Sequence, residues 1–512
     1  MSNNSLFRSV FNFKTEFMNT AQSSQAQLNG NVTTLNLKTS SPFISKIASK
    51  VLWIFFVFCL GFLVYYQIEK PILNWENIFR INGFTLLIWS TVLFFSALLS
   101  SYSKNYLKGF MYHQRFTLLS LGFTFSVMLF VASNHLLPLL LAWFGMSFFM
   151  AGLIGVNLDW GEAVEAGKYA LRFFLSGGIL LSVGLIILAY QINDYTLNSI
   201  IQNIDSIPNH IVLISAILII TAAIIQSAIY PFHRWLLSAM TAPTPASALM
   251  HAGFVNASGI LLTLFSVVLI ASDTLTLIFI IGGLTAIIAQ FTKLLQVNVK
   301  QKLACSTIAQ MGFMIMQCGL GFFNAAIAHL ILHGFYKAYL FLSAGEEVLR
   351  TVPKTPEKIR IKPLQAIAVL IFGGLGALLF IFLTGKTSLT NSSIFLTLIV
   401  AITVGQATYN IVKQSILTYA EKLSVSAILF IVGISVYALF YNGVTTIISE
   451  MPMVDVPHEL TVLQIAFSII FIIGFFLMKL SYYRNTPWLY VKLLNLSQPY
   501  KKTIFSYKSQ TK

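Results

Sequence analysis

Residues 226–251 read QSAIYPFHRWLLSAMTAPTPASALMH. Long apolar runs flank this stretch, near 210–240 and 244–271, yet it carries Gln226, His233, Arg234 and His251. It also carries Pro231, Pro243 and Pro245. Proline removes a backbone donor and clashes with the preceding turn. The run near 210–240 is therefore expected to be a broken helix, centred on residues 226–240. A helix that breaks inside hydrocarbon frees backbone groups that must be buried in protein or face water, so the stretch predicts a hydrated cavity. A second reading stays open for His233 and Arg234, which at the membrane interface would snorkel to water.

The rest of the chain supplies the bundle around this break. Of 512 residues, 57% are hydrophobic and 9% are charged. A soluble protein of this length covers its surface with charge, and this one does not. The apolar runs are about 20 residues long, the length a helix needs to cross roughly 30 Å of hydrocarbon. The short alternating segments of a membrane β-barrel are absent. The expected fold is an all-α polytopic membrane protein with about 14 transmembrane helices. They fall near 49–66, 84–101, 117–133, 135–156, 170–190, 210–240, 244–271, 273–296, 303–320, 323–346, 364–383, 393–412, 423–442 and 461–480. Residues 1–48 are polar and lack the continuous apolar core of a signal peptide, so a disordered cytoplasmic tail is expected there. The membrane domain is expected over 49–480, and a short basic cytoplasmic tail over 481–512.

The net charge of +16 first suggests nucleic acid, but its distribution gives another cause. With the N-terminus inside, alternate loops and the two tails on the cytoplasmic side hold 26 Lys and Arg, the opposite loops hold three (Lys70, Arg80, Lys386), and three more lie within spans. Such a bias is the positive-inside signal. It predicts cytoplasmic N- and C-termini and an even number of spans in the cytoplasmic membrane, with no nucleic-acid partner required. Cys59, Cys305 and Cys318 each lie in or beside an apolar run, with neither metal-ligand nor disulfide spacing. No paired carboxylates, Ser–His–Asp set or phosphate-binding glycine loop is evident, so no self-contained catalytic site, metal or cofactor is expected.

Charged residues in mid-membrane cost roughly 2.5–3.5 kcal/mol on insertion scales and are functional candidates by default. Besides the opening stretch, two others qualify. Residues 298–312, NVKQKLACSTIAQMG, place Lys300 and Lys302 at the start of a span, where ordinary interfacial anchoring is the competing reading. In residues 329–337, HLILHGFYK, His329, His333 and Lys337 recur at i, i+4 and i+8 and share one helix face. Three titratable groups on one stripe suit a proton relay, against the plainer reading of a hydrogen-bonded structural cluster. The absence of an acidic partner argues against zinc at the two histidines.

These three stretches resemble the antiporter-like subunits of respiratory complex I (the NuoL type) and of multisubunit Na+/H+ antiporters (the MrpA type). The segments PFHRWLLSAMTAPTPASALMHAG, VKQKLACSTIAQMG and HLILHGFYKAYLFLSAG carry the likeness, which runs from about 84 to 385 in matched order. The resemblance implies a chain of lysines and histidines that carries protons at mid-membrane height. By position these are His251, Lys300, His329, His333 and Lys337, with Lys300 favoured over Lys302. Two positions depart from the family. Its Trp-Glu-Gly glutamate is replaced in Trp143-Phe144-Gly145, and its Gly-Lys-Ser lysine by Gln226 in Ile225-Gln226-Ser227. Gln226 then becomes a neutral member of the path. The same departures, with His251-Ala-Gly-Phe-Val-Asn256, are similar to the DabB branch, membrane subunits of energy-coupled inorganic carbon uptake systems. That likeness implies a DabA-like partner of the zinc β-carbonic-anhydrase type, H+ or Na+ as the coupling ion, and His233 and Arg234 as partner or gating contacts. The CO2 hydration chemistry would belong to the partner. Two alternatives are a proton- or sodium-translocating subunit of a complex I-like or Mrp-type assembly, and a non-conducting scaffold. Extended into the twelfth span, the likeness would set Gln406 in place of a family lysine.

Overall fold

A computed structural model describes residues 42–71, 73–344, 363–386, 391–412, 418–479 and 486–504. Most of the expected N-terminal tail, the basic segment Arg350 to Lys362, the end of the C-terminal tail and the side chain of Gln406 lie outside the described residues. The chain opens with α1 (Phe43–Glu69), a hairpin of β1 (Leu73–Trp75) and β2 (Phe79–Ile81), and then α2 (Gly83–Tyr106), α3 (His113–Ala132), α4 (Leu136–Ile154) and α5 (Gly161–Ile192). Short α6 (Leu197–Gln202) leads to α7 (Asn209–Gln226) and the stub α8 (Arg234–Ser238). Then come α9 (Thr244–Ala252), α10 (Ala257–Leu264), α11 (Ser266–Ala271), α12 (Leu275–Leu295), α13 (Val299–Gly319) and α14 (Phe323–Leu342). The last helices are α15 (Pro363–Thr384), α16 (Ser393–Val412), α17 (Tyr419–Ile447), α18 (Val462–Lys479) and α19 (Pro487–Leu496).

Eleven helical segments among the described residues, α9 and α10 counted as one, are long and apolar enough to cross a membrane. Each of the fourteen expected spans nevertheless coincides with helix. The difference has a physical basis in α13, whose Lys, Gln, Ser and Thr residues make it too polar for the eleven. In α16 and α18 the apolar runs that count, Ser393–Tyr409 and Val462–Phe471, are short. Two boundaries also move. Helix α1 begins at Phe43, inside the stretch read as a polar tail. In the region read as a basic tail, α19 folds back onto the protein.

Loop pairing fixes the parity of the crossings. Phe79 bridges Ser133, His135 bridges Thr196, Phe322 bridges Asp455, and Asn391 bridges Glu459. Ser266 Oγ donates to the Pro452 carbonyl at 2.9 Å, and Tyr66 donates to Glu450. All these contacts join the loops that the charge count assigns to the side poor in Lys and Arg. At the other end, Lys300 Nζ donates to the Ala242 carbonyl at 2.9 Å, and Tyr500 N donates to Ser238 Oγ at 3.0 Å. The segments between paired loops therefore cross an even number of times.

The predicted break is present. Helix α7 ends at Gln226 and the chain turns before α8. A second break, between α9 and α10 at residues 253–256, divides a span read as continuous. Both breaks pack around one aromatic cluster, in which Phe254 lies 4.5 Å from Phe174 and 5.9 Å from Trp235 between ring centroids. Trp235 Nε1 donates to the Ile225 carbonyl at 2.9 Å, satisfying an acceptor at the end of α7.

Helices α12 and α13 meet backbone to backbone. A Cβ added at Gly312 would stand 2.7 Å from the Gly282 carbonyl oxygen and 2.8 Å from Ala286 N. Small residues that permit such approach are a principal means of helix association in lipid. Gly312→Val is therefore expected to cost about 1–3 kcal/mol through overpacking and to lower the unfolding temperature of the purified protein. Gly374, where an added Cβ meets nothing within 4 Å, serves as the control: Gly374→Ala should not lower it.

Candidate functional site

Helix α14 supplies the spine of the site. His329, His333, Lys337 and Phe341 recur every fourth residue along it, so they lie on one stripe. Gly334, next to His333, allows the stripe to seat against its neighbours: a Cβ there would stand 2.7 Å from the Phe95 ring and 3.2 Å from the Ala252 carbonyl oxygen. Helix α9 then delivers His251, whose ring stacks on Phe341 at 4.3 Å. Helix α13 delivers the Leu303 carbonyl, which accepts from Lys337 Nζ at 3.2 Å.

The result is a row of basic groups in the protein interior. Lys337 and His251 are 0% exposed and His333 is 5% exposed. His251 lies within electrostatic reach of both Lys300 and Lys337, and His333 of Lys337, His329 and His251. The His329 and His333 rings are stacked with centroids 6.0 Å apart. Both ring nitrogens of His251 and of His333, and Nε2 of His329, are buried without a protein hydrogen-bond partner. Buried polar groups in folded proteins are almost always satisfied, so these nitrogens define positions for water along the row. The plainer reading of the stripe, a cluster of side chains hydrogen-bonded to one another, does not fit these orphan nitrogens.

Both ends of the row reach open space. Lys300 lines a pocket of about 220 Å³ with Asn157, Trp160 and Thr241 on the Lys- and Arg-rich side. Asn298 caps α13 by accepting from Lys300 N and Gln301 N at 2.9 and 3.4 Å, which fixes the lysine at this mouth. At the far end His329 lines a cavity of about 660 Å³ between α12, α13, α16 and α17. Its polar wall includes Gln290, Lys293, Gln310 and Gln317. The sequence reading missed this group. The charge count sets Lys293 in a cytoplasmic segment, although Gln290 precedes it by three residues on the same helix face. Gln310 and Gln317 are seven residues apart, also a one-face spacing, and that periodicity was available.

The remaining expected residues are placed apart. Gln226 is buried at the end of α7, its Nε2 without a partner, and no hydrogen bond joins it to the row among the described residues. Its neighbour Ser227 bonds Ser258 and the Val255 carbonyl, tying the first break to the second. Phe144 occupies the family's glutamate position with its ring against Gly178, where an added Cβ would stand 2.5 Å away. His233 does not reach out to water: it is 2% exposed, its ring lies against Tyr230 with centroids 3.8 Å apart, and Nε2 donates to the Leu496 carbonyl at 2.7 Å. Arg234 beside it is exposed. Among the described residues no group of three His, Cys, Asp or Glu side chains is placed to hold a metal ion.

An antiporter-like polytopic membrane protein is the class that this fold defines. Residues 133–372 match the family described as NADH:quinone oxidoreductase/Mrp antiporter, transmembrane. In the Mrp complex from Dietzia sp. DQ12-45-1b, a chain superposes with a TM-score of 0.58 at 20% identity, over 86% of this chain and 54% of that one. A chain of the archaeal membrane-bound sulfane sulfur reductase superposes with a TM-score of 0.55 at 17% identity, over 88% and 91%. Among curated relatives, the probable inorganic carbon transporter subunit DabB of Hydrogenovibrio crunogenus is 32% identical over 59% of each chain. DabB of Bacillus subtilis is 34% identical over 53% of this chain and 54% of that protein. NADH-ubiquinone oxidoreductase chain 5 of Acanthamoeba castellanii is 32% identical over 61% and 49%. Over about half of its length this chain is similar to DabB proteins within that antiporter-like superfamily, and it spans about half the length of the curated relatives it matches.

The cavity beside His329 can be probed chemically. With Cys59, Cys305 and Cys318 replaced by alanine, Gln310→Cys should react with a small charged methanethiosulfonate. Val268→Cys, at a fully buried position outside the cavity, should not.

Proposed function

We propose that this chain is the cation-conducting membrane subunit of an energy-coupled inorganic carbon transporter in a bacterial cytoplasmic membrane, with both termini cytoplasmic. H+ (or Na+) passes inward along the row of His329, His333, Lys337, His251 and Lys300, with Gln226 as a neutral polar member beside the first break. A DabA-like subunit of the zinc β-carbonic-anhydrase type hydrates CO2 to bicarbonate, and the inward flow drives that reaction one way. The observation that carries this reading is the row itself: buried basic groups with orphan nitrogens, running from a pocket at Lys300 to a cavity at His329. A scaffold has no use for such a row, because each buried cationic group costs folding energy. The names of the DabB relatives support the carbon reading.

At a membrane potential of 100 mV each inward charge supplies roughly 2.3 kcal/mol, about 1.7 tenfold steps in an equilibrium ratio. That biases a near-balanced hydration if coupling is tight. The competing reading, a pumping subunit of a complex I-like or Mrp-type assembly, is disfavoured at two positions. Phe144 fills its site with an aromatic ring, and Gln226 brings no charge, so the electrostatic couple beside the row is missing.

The test is co-expression with a DabA-like partner in cells that lack carbonic anhydrase, scored by growth in ambient air. Growth should require both proteins, stop on addition of a protonophore, and fall at least tenfold in rate for His333→Ala at equal membrane abundance. No growth from an assembled complex would overturn the carbon reading, and full growth with His333→Ala would support a scaffold.

A further inference from the structure

Helix α19 presents apolar groups in two directions. Leu489, Leu493 and Leu496, at i, i+4 and i+7, turn toward the protein, with Leu493 buried and the other two half-buried. Trp488, Val491, Lys492 and Asn495 share another face, where Trp488 is 67% and Val491 54% exposed. A helix bathed in water would not display a tryptophan and a valine this way. Trp and Lys side by side on an amphipathic helix are the signature of the membrane interface, where the ring enters the headgroup layer and the ammonium reaches phosphate. Only residues 480–485 separate α19 from the apolar helix α18, which keeps α19 at that level.

This outer face and Arg234 of α8 line an open surface groove of about 570 Å³. Arg234 and Lys492 are its charged lining, and no carboxylate lines it. Neither cation forms an ion pair among the described residues. Two cations lining one groove without a carboxylate call for an anion, and a guanidinium with an ammonium suits the oxygens of a phosphate. Pro487, Trp488 and Val491 complete the wall with apolar surface, which a free inorganic ion would not use.

We propose that this groove binds an anionic glycerophospholipid, with Arg234 and Lys492 on the headgroup phosphate and Trp488 and Val491 against its glycerol and first acyl carbons. The bound lipid clamps α19 onto α8. That clamp reinforces the contacts already joining the C-terminal segment to the broken helix: His233 to the Leu496 carbonyl and Tyr500 N to Ser238 Oγ.

The experiment is native mass spectrometry of the purified full chain, titrated with phosphatidylglycerol, phosphatidylcholine or inorganic phosphate. The expected result is preferential retention of phosphatidylglycerol, weakened at least tenfold in the Arg234→Gln/Lys492→Gln double variant, with phosphatidylcholine unaffected. Phosphatidylglycerol retained equally by wild type and variant would overturn the proposal. So would inorganic phosphate competing it away at equal concentration, which marks a free-phosphate site. An unchanged lipid profile with lost co-purification of a DabA-like protein would overturn it too, marking a protein contact. A second readout does not depend on the double variant folding. Brominated phosphatidylglycerol should quench the tryptophan fluorescence of the wild-type chain by a component absent from Trp488→Phe, and no such component would count against the site.

Discussion

A helix that stops inside hydrocarbon leaves carbonyls and amides that lipid cannot satisfy, and the two breaks in this chain determine what surrounds them. The first, after Gln226, is closed by Trp235 on the Ile225 carbonyl and by Ser227 on Ser258 and the Val255 carbonyl. The second, after Ala252, is closed by Asn256, whose Nδ2 donates to the Ala252 carbonyl at 2.8 Å and reaches the Leu330 carbonyl of α14 at 3.4 Å. Part of this bonding stays within each break, and part ties the first break to the second and the second to the helix that carries the histidine stripe. Shortening the helices also exposes carbonyls for use by cations. Ala242, just before α9, accepts from Lys300. Leu303, within the unbroken helix α13, lends its carbonyl to Lys337 in a second acceptor role, so both lysines have a fixed acceptor.

Charge is confined to one half of this arrangement. Between α4 and α5 the contact is apolar, Phe144 against Gly178, and Gln226 at the end of α7 carries no charge. From His251 to Lys337 every titratable group of the row is basic. Unopposed by carboxylates, these groups repel one another, so a proton added at one site lowers the affinity of the next. In the function proposed above, this repulsion would favour passage of charge over storage.

Much of this was legible in the sequence because it depends on local rules. Span positions follow from apolar run length, the first break from Pro231, and the stripe from the four-residue spacing of His329, His333 and Lys337. The second break was not legible: residues 253–256 carry no proline, and the interruption arises from packing of Phe254 between Phe174 and Trp235. His233 reads as a side chain that reaches water because its acceptor, the Leu496 carbonyl, lies 263 residues away in sequence. Lys293 counts with a cytoplasmic segment in the sequence because the cavity it lines is built in part by α16 and α17, far along the chain. The family likeness supplied the order of the row, and the geometry adds a pocket at Lys300 and a cavity at His329.

The central claim is that charge crosses the membrane through Lys337 and its neighbours. It is tested most directly by reconstituting the chain with its partner subunit in liposomes, imposing a potassium diffusion potential, and following internal pH and sodium with entrapped dyes. The account predicts a potential-driven influx of H+ or Na+ that falls to the protein-free leak in Lys337→Met at unchanged assembly. Equal influx in Lys337→Met and wild type would contradict it.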